Sequence, residues 1–205
     1  MDFWQIFTLV TGVLYIILEV RQKNFMWVVG IATSLAAMWV FFRQGLYASF
    51  GLNTYYFITA FIGLWQWRRN KKMLVSEVDA DGHGEDTVVL HKLTWKAVAA
   101  GAVICVLGTV ALSSGMSLLH DAGILKENPM SLLDSAATAL SVVATWWLVR
   151  SYLEQWWLWI VADFMSTILC AAQGMWWMAL LYLLYATAAV YGLRYWKMRG
   201  TYILD

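Results

Sequence analysis

Asp163 is the residue whose type and position suggest chemistry most directly, because it interrupts a long apolar stretch. An ionised carboxylate at the centre of a membrane helix costs about 2.5–3.5 kcal/mol, and such a residue usually faces a cavity or a partner. On a helix, Trp156, Trp159 and Asp163 share one face, since their spacings are three and four residues. Indole faces attract cations and stack on flat rings. This face is predicted to bind a small, flat cation, unless Asp163 is protonated and hydrogen-bonded to a neighbouring helix.

Two further apolar stretches carry polar side chains that would need partners away from water. Within each stretch the first two of these side chains stand three residues apart, so they would share a helical face. An amide or phenol buried without a hydrogen-bond partner is costly. We predict that these residues either contact the ligand or tie helices together: Asn53, Tyr56 and Thr59 in one stretch, and Tyr182, Tyr185 and Tyr191 in the other.

Sequence motifs for enzyme chemistry are missing. No nucleophile stands beside a base, no glycine loop could cradle a phosphate, and no set of residues has the spacing of metal ligands. His83 lies among acidic residues, a pattern more typical of a flexible loop than of a metal site. Cys105 and Cys170 lie in apolar segments and are expected to be small buried hydrophobes. We predict no metal, no cofactor and no enzyme activity, unless a cytoplasmic partner supplied the catalytic group.

The composition is that of a membrane protein. The chain of 205 residues is 61% hydrophobic and 13% charged, whereas a soluble domain is about 45–50% apolar and about 25% charged. A helical span needs about 20 mostly apolar residues. The apolar runs give seven spans once a turn is placed at Gln173-Gly174. The predicted fold is therefore an all-α membrane protein with seven transmembrane helices, and Arg68–Lys92 is predicted to be a solvated loop.

Basic residues are distributed unevenly between the two ends of these spans. With seven spans, twelve Lys and Arg residues fall on one side and only Arg43 and Lys126 on the other. The richer side is expected to be cytoplasmic. This predicts a multi-pass protein of the bacterial inner membrane with its N-terminus outside and its C-terminus in the cytoplasm. Because the basic residues are spread over membrane-proximal ends, membrane lipid is an expected partner and nucleic acid is not.

The sequence resembles itself at an offset of 129 residues. The most telling matches fall at turns and helix ends, namely Arg21/Arg150, Gln44-Gly45/Gln173-Gly174, Gly63/Gly192 and Trp67/Trp196. The repeating unit is three helices, and one spacer helix makes the two copies parallel. We predict a 3+1+3 arrangement: a first repeat over 1–70, a cytoplasmic loop over 71–92, a linker helix over 93–120 and a second repeat over 131–199. Parallel repeats are a transporter architecture, although a duplicated bundle with a structural role is the alternative.

Several segments carry a resemblance to a known family. They are LYASFGLNTYYF and GLWQWRR in the third predicted helix, DSAATALSVVAT in the fifth, and RSYLEQWWLWIVADFMS and QGMWWMALLY across the sixth and seventh. They resemble the Pnu family of bacterial vitamin transporters, whose members are assigned to nicotinamide riboside, thiamine or riboflavin. The family is similar to the SWEET sugar carriers in its 3+1+3 arrangement. The resemblance implies facilitated diffusion, with phosphorylation by a cytoplasmic vitamin kinase trapping the substrate.

The resemblance also bears on the substrate. In the riboside carriers the helix-six signature reads Trp, two residues, Trp, three residues, Asn, so the resemblance makes Trp156 and Trp159 a ring-binding pair and places an acid, Asp163, where those carriers have an amide. Other departures are Asn53 where Gln is expected, and Ala60 and Tyr191 where Asn is expected. Because thiamine carries a fixed charge, thiamine is the leading prediction and nicotinamide riboside or riboflavin the alternative.

Three further possibilities stay open at the level of the sequence. A proton-coupled carrier would use Asp163 as the titrating group, and its accumulation of substrate would follow the pH gradient. A non-transporting membrane scaffold or receptor subunit would lack tight ligand binding. Small carriers of this shape often associate, so a homo-oligomer is also an expectation.

Overall fold

The computed structural model describes residues 3–43, 47–78, 87–124, 130–174 and 176–203. Over these residues it has seven helices and two short strands, and each predicted span coincides with one helix. The elements are α1 (Phe3–Val20), α2 (Phe25–Arg43), α3 (Tyr47–Val78), β1 (Val88–Leu90), α4 (Trp95–Asp121), α5 (Ser131–Val149), α6 (Gln155–Ala172), α7 (Trp176–Arg199) and β2 (Gly200–Tyr202).

Four of these helices, α4 to α7, are long and apolar enough to cross a membrane, and α1 and α2 contain shorter apolar segments, Thr11–Val20 and Phe25–Ala36. The helix α4 shows most clearly that these helices expose too much apolar surface for an aqueous environment. It starts at an N-cap, Thr94, whose side chain accepts a hydrogen bond from the N–H of Ala97, and only Gly101 in the helix is buried. An exposed apolar surface of this length is unfavourable in water. The protein is therefore a multi-pass membrane protein.

The predicted turn between the last two helices is confirmed. Gly174 has φ +73°, a left-handed backbone conformation that glycine adopts without steric cost. The residues around the matching Gln44-Gly45 pair, 44–46, lie outside the described residues.

The prediction of a solvated loop over Arg68–Lys92 is wrong in two places. The helix α3 continues to Val78, and β1 is almost completely buried, as is His91 after it. The strand pairs in parallel with β2, with Val89 opposite Thr201, and the N–H of Ile203 donates to the carbonyl of Leu90 at 3.0 Å. Three consecutive apolar residues favour this burial. The acidic part with His83 lies outside the described residues.

Internal contacts divide the chain into two units. The first comprises Met1–Lys92, Thr145–Leu153 and Arg194–Asp205, and the second comprises Leu93–Ala144 and Glu154–Leu193. The first unit thus holds α1 to α3, both strands and the last turns of α5 and α7. The second holds α4, α6 and most of α5 and α7.

Within the first unit, α1 and α5 end in the same way at positions 129 residues apart. Gln22 has φ 47° and its N–H donates to the carbonyl of Glu19 at 2.9 Å, while Ser151 has φ 56° and its N–H donates to the carbonyl of Leu148 at 2.9 Å. In each case the following N–H closes a wider turn, from Lys23 to Leu18 at 2.9 Å and from Tyr152 to Trp147 at 3.0 Å. This pair of bonds is the Schellman motif, here with non-glycine residues in the left-handed position. Equivalent residues therefore adopt an equivalent, uncommon backbone.

The side chains at these helix ends also interact across the first unit. The indole of Trp67 donates to the carbonyl of Leu148 at 3.1 Å, and that of Trp196 donates to the carbonyl of Val20 at 2.9 Å. Gln22 is bonded to both backbone groups of Val89: its Nε2 donates to the carbonyl at 2.9 Å and its Oε1 accepts from the N–H at 2.8 Å. The Gln22 side chain thus holds β1 against the end of α1.

A second symmetric contact joins a tryptophan to a glycine. A Cβ added at Gly63 would lie 2.4 Å from the ring of Trp27, and one added at Gly192 would lie 2.5 Å from the ring of Trp156. Both tryptophans are 1% exposed. The first contact lies in the first unit and the second in the second unit. Each glycine leaves the space that one indole ring fills.

Candidate functional site

Asp163 is a buried acid on α6, 7% exposed. Its backbone carbonyl accepts a hydrogen bond from Thr167, but the described residues provide none to its carboxylate. The phenols of Tyr182 and Tyr185 on α7 are close enough to interact with it electrostatically. A buried carboxylate is unfavourable without a compensating partner. Asp163 therefore lacks a compensating partner among the described residues.

The phenols beside Asp163 are held by their spacing on α7. Tyr182 and Tyr185 stand three residues apart, and their rings meet edge to face at 6.2 Å and 87°. Asp134, near the start of α5, also interacts electrostatically with Tyr182. We call Asp134, Asp163, Tyr182 and Tyr185 the acidic cluster; all four lie in the second unit. Two carboxyl groups and two phenols in an apolar setting suit a cationic ligand with hydrogen-bonding groups.

The face of α6 that carries Asp163 has two more polar groups without partners in the described part of the chain. Gln155 is 0% exposed and both of its amide atoms are buried without a hydrogen bond, and the Nε1 of Trp159 is buried in the same state. Gln155, Trp159 and Asp163 are spaced by four residues, so they lie along one face over about 12 Å of helix. Buried polar groups nearly always have partners. This face therefore presents polar groups that are free to pair with a ligand.

The sequence alone did not single out three buried or clustered polar residues: Gln155, Asp134 and Glu19. Gln155 could have been found from its spacing, since it stands four residues before Trp159. Asp134 belongs to the acidic cluster. Glu19, 4% exposed, and Tyr56 interact electrostatically with Tyr15 in the first unit. Glu19 ends the first apolar run, where an acid is easily taken for the start of a loop.

The other predicted site residues are placed differently. Trp156 lies against Gly192, so its ring is already covered by protein. Thr59 is 2% exposed and its hydroxyl donates within α3, to the carbonyls of Tyr55 and Tyr56 at 2.9 and 3.0 Å. Tyr191 is 61% exposed.

The structure thus brings Asp163, Tyr182 and Tyr185 together and sets Trp159 on the same helical face. Asn53 and Tyr56, both half-buried, lie with Thr59 in the first unit. That these three residues, Trp156 and Tyr191 contact a ligand stays a prediction.

The described residues do not form a metal centre, since none of their His, Cys, Asp and Glu side chains cluster in threes. What the acidic cluster can do is bind and orient a cation. Membrane-spanning helices that carry ionisable groups in their interior are typical of transporters.

Comparison with known proteins agrees with this class. The sequence model of the family described as nicotinamide mononucleotide transporter matches residues 2–198. The chain therefore belongs to the nicotinamide mononucleotide transporter family, and the predicted membership of the Pnu family is confirmed. The proteins of this family are membrane transporters.

Individual relatives have similar names. The nicotinamide riboside transporter PnuC of Escherichia coli K12 is 26% identical over 171 residues, covering 77% of this chain and 69% of that protein. The protein of the same name from Neisseria mucosa is 27% identical over 196 residues, covering 91% and 69%. The crystal structure of the vitamin B3 transporter PnuC shares the fold, with a TM-score of 0.63, 24% identity, and coverage of 93% of this chain and 79% of that one. These relatives do not support the thiamine type or the similarity to SWEET carriers.

Proposed function

We propose that this protein carries nicotinamide riboside across the membrane and that the acidic cluster provides the counter-charge for its pyridinium ring. The observation that supports this most is the buried Asp163 carboxylate, to which no described residue donates a hydrogen bond. A flat cation would supply the missing charge, while an aromatic face such as that of Trp159 would attract the ring. The names of the relatives favour the riboside over other flat cations.

The buried amide of Gln155 offers the riboside a further contact. Its buried amide has one carbonyl and one NH₂ group, both without partners in the described residues. The nicotinamide ring carries a primary carboxamide with the same two groups, so two amides can pair through two hydrogen bonds. The indole N–H of Trp159 can donate to a ribose hydroxyl or to the carboxamide oxygen. The aminopyrimidine of thiamine also presents an N–H donor beside a ring-nitrogen acceptor, so the Gln155 contact is open to both ligands.

Thiamine stays the second candidate because of one residue. Asp163 replaces the Asn of the riboside carriers' helix-six signature, and a carboxylate favours a fixed positive charge more strongly than an amide does. Both ligands are cations, so charge alone does not separate them. Riboflavin is neutral and would leave the charge of Asp163 unpaired.

For the transport step we propose two parallel three-helix repeats joined by α4, which move about the bound substrate. Equivalent features at an offset of 129 residues support this arrangement: the two left-handed helix ends and the two Trp–Gly contacts. We propose facilitated diffusion in the inner membrane, with the C-terminus cytoplasmic and a cytoplasmic kinase trapping the substrate. Association into a homo-oligomer and proton coupling through Asp163 stay alternatives to be tested.

The experiment is a binding titration of the purified protein in detergent. Intrinsic tryptophan fluorescence is followed while nicotinamide riboside or thiamine is added, since a ligand beside Trp159 should quench it. Asp163→Leu, which removes both the charge and the hydrogen-bonding groups, is measured in parallel, with Asp121→Leu as the matched control, because Asp121 is exposed at the end of α4. Losing a charge-assisted contact should weaken binding by about tenfold to a hundredfold.

The proposal expects the riboside to bind more tightly than thiamine, Asp163→Leu to lose affinity and Asp121→Leu to bind like the parent. Tighter binding of thiamine would move the substrate to the second candidate. If neither ligand binds, or if both Leu variants bind equally well, the acidic cluster is not the substrate site.

A further inference from the structure

A groove of about 900 Å³ lies in the first unit, outside the acidic cluster. Its lining includes two aromatic rings and four basic side chains, all from α3. We call it the basic groove and define it by Phe61, Trp65, Arg68, Arg69, Lys71 and Lys72.

The aromatic part of the basic groove faces outward. Phe61 is 50% exposed and Trp65 is 60% exposed. They stand four residues apart, so they share a face of α3 with Arg68, three residues further on. The guanidinium of Arg69 lies over the ring of Trp65, at 5.7 Å from its centroid. This cation–π contact fixes a positive charge beside an exposed apolar surface.

The described part of the chain offers no counter-charge to the cationic part of the groove. Among the side chains that the structure describes, no acid forms an ion pair with Arg68, Arg69, Lys71 or Lys72. Burial and, to a smaller extent, the nearby Lys23 ammonium lower the pKa of Lys71. Both effects disfavour the positive charge, so an anion placed in the groove would be stabilised.

The position of the groove along α3 decides what kind of anion fits. The apolar part of this helix ends at Trp67, and the four cations follow immediately. Tryptophan at such a boundary lies at the level of lipid headgroups. The groove therefore combines an apolar wall at the depth of acyl chains with a cluster of positive charges at the depth of phosphates.

We propose that the basic groove binds the headgroup of an anionic phospholipid, with its phosphate among Arg68, Arg69 and Lys72 and the upper part of an acyl chain against Phe61 and Trp65. Clusters of Lys and Arg at the end of a membrane helix attract anionic lipids, each contributing on the order of 1 kcal/mol near the surface. A free phosphate would use the same charges but would gain nothing from the aromatic wall. The site is independent of the transported substrate.

The test uses native mass spectrometry of the full-length protein in detergent, with phosphatidylglycerol, phosphatidylcholine or inorganic phosphate added. The groove variant carries Arg68→Gln, Arg69→Gln and Lys72→Gln, three exposed residues. The matched control carries Lys92→Gln, Lys96→Gln and Lys197→Gln, which removes the same charge from exposed positions outside the groove. A third variant, Trp65→Ala, removes the apolar wall and leaves the charges.

The proposal expects the parent to retain phosphatidylglycerol where phosphatidylcholine dissociates. Apparent affinity should fall about tenfold or more in the groove variant, several-fold in Trp65→Ala, and less than about twofold in the control. Three results would overturn it: equal loss in the groove variant and the control, equal retention of both lipids by the parent, or full displacement of the lipid by millimolar inorganic phosphate. The last would indicate a site for free phosphate.

Discussion

At the scale of single residues, Gln155, Trp159 and Asp163 on one face of α6 have buried polar side-chain groups that receive no hydrogen-bond partner from the described part of the chain. Such groups lower the stability of the empty protein, since each buried polar group without a partner costs on the order of 1–3 kcal/mol. A ligand that supplies the partners recovers that free energy on binding. The same residues should therefore weaken the fold and strengthen ligand binding.

The variant Gln155→Leu tests whether this residue lowers the stability of the empty protein and strengthens ligand binding. Removing the amide should leave the melting temperature of the empty protein unchanged or higher, because no described partner is lost. Affinity for the riboside should fall by about tenfold, the loss expected for one to two hydrogen bonds. Thermal unfolding and the fluorescence titration measure the two quantities.

The control is Gln173→Leu, since Gln173 is exposed just beyond α6. It should change neither quantity appreciably. A clear loss of stability in Gln155→Leu would mean that the amide has a structural partner and is not reserved for the ligand.

At the scale of the elements, the seven helices could be predicted from the sequence because long apolar runs leave a strong signal. The strands could not, since three apolar residues after a charged segment have no usable periodicity. The spacing of Trp156 placed it correctly on a face of α6, but spacing does not say that Gly192 packs on its ring. Only the packing of helices separates a ligand-binding indole from a structural one.

The Trp–Gly contacts predict which glycines tolerate a methyl group. Gly63→Ala and Gly192→Ala should each destabilise the protein by about 1–3 kcal/mol, because the added Cβ overlaps an indole ring. Gly51→Ala and Gly115→Ala are the controls, since a Cβ at either position has nothing within 4 Å. Thermal unfolding in detergent compares the four variants. Equal melting temperatures for all four would contradict the close helix contacts.

The left-handed helix ends give a matched pair of substitutions. Gln22→Gly and Ser151→Gly both place glycine where φ is positive, so both relieve backbone strain. Gln22→Gly also removes the two hydrogen bonds between the Gln22 side chain and the backbone of Val89. Ser151→Gly leaves both of these bonds in place and removes only the 3.4 Å bond between the Ser151 hydroxyl and Gln22.

Hydrogen exchange of the Val89 amide distinguishes these two variants. In Gln22→Gly the exchange rate should rise at least tenfold, because β1 loses its attachment to the end of α1. In Ser151→Gly it should stay close to that of the parent. Similar exchange in both variants would show that the strand is held by β2 alone.

At the scale of the whole molecule, the distribution of basic residues predicts the orientation in the membrane. Asp121 lies at the sparsely charged end of α4 and Lys92 precedes its richly charged end, and both side chains are exposed. In a background with Cys105→Ala and Cys170→Ala, a membrane-impermeant maleimide should label Asp121→Cys in intact spheroplasts. Lys92→Cys should be labelled only after the membrane is permeabilised. The reverse pattern would invert the proposed topology.

We propose that this protein is a passive carrier of nicotinamide riboside. Counterflow in proteoliposomes is the most direct test of this proposal. Purified protein is reconstituted into vesicles loaded with unlabelled riboside, and the entry of labelled riboside is followed without any ion gradient and then with a pH gradient. We predict rapid entry that requires the protein, is strongly reduced in Asp163→Leu and ends at the same level with or without the gradient. Entry no faster than in protein-free vesicles would contradict transport of this substrate, and accumulation that follows the pH gradient would contradict facilitated diffusion.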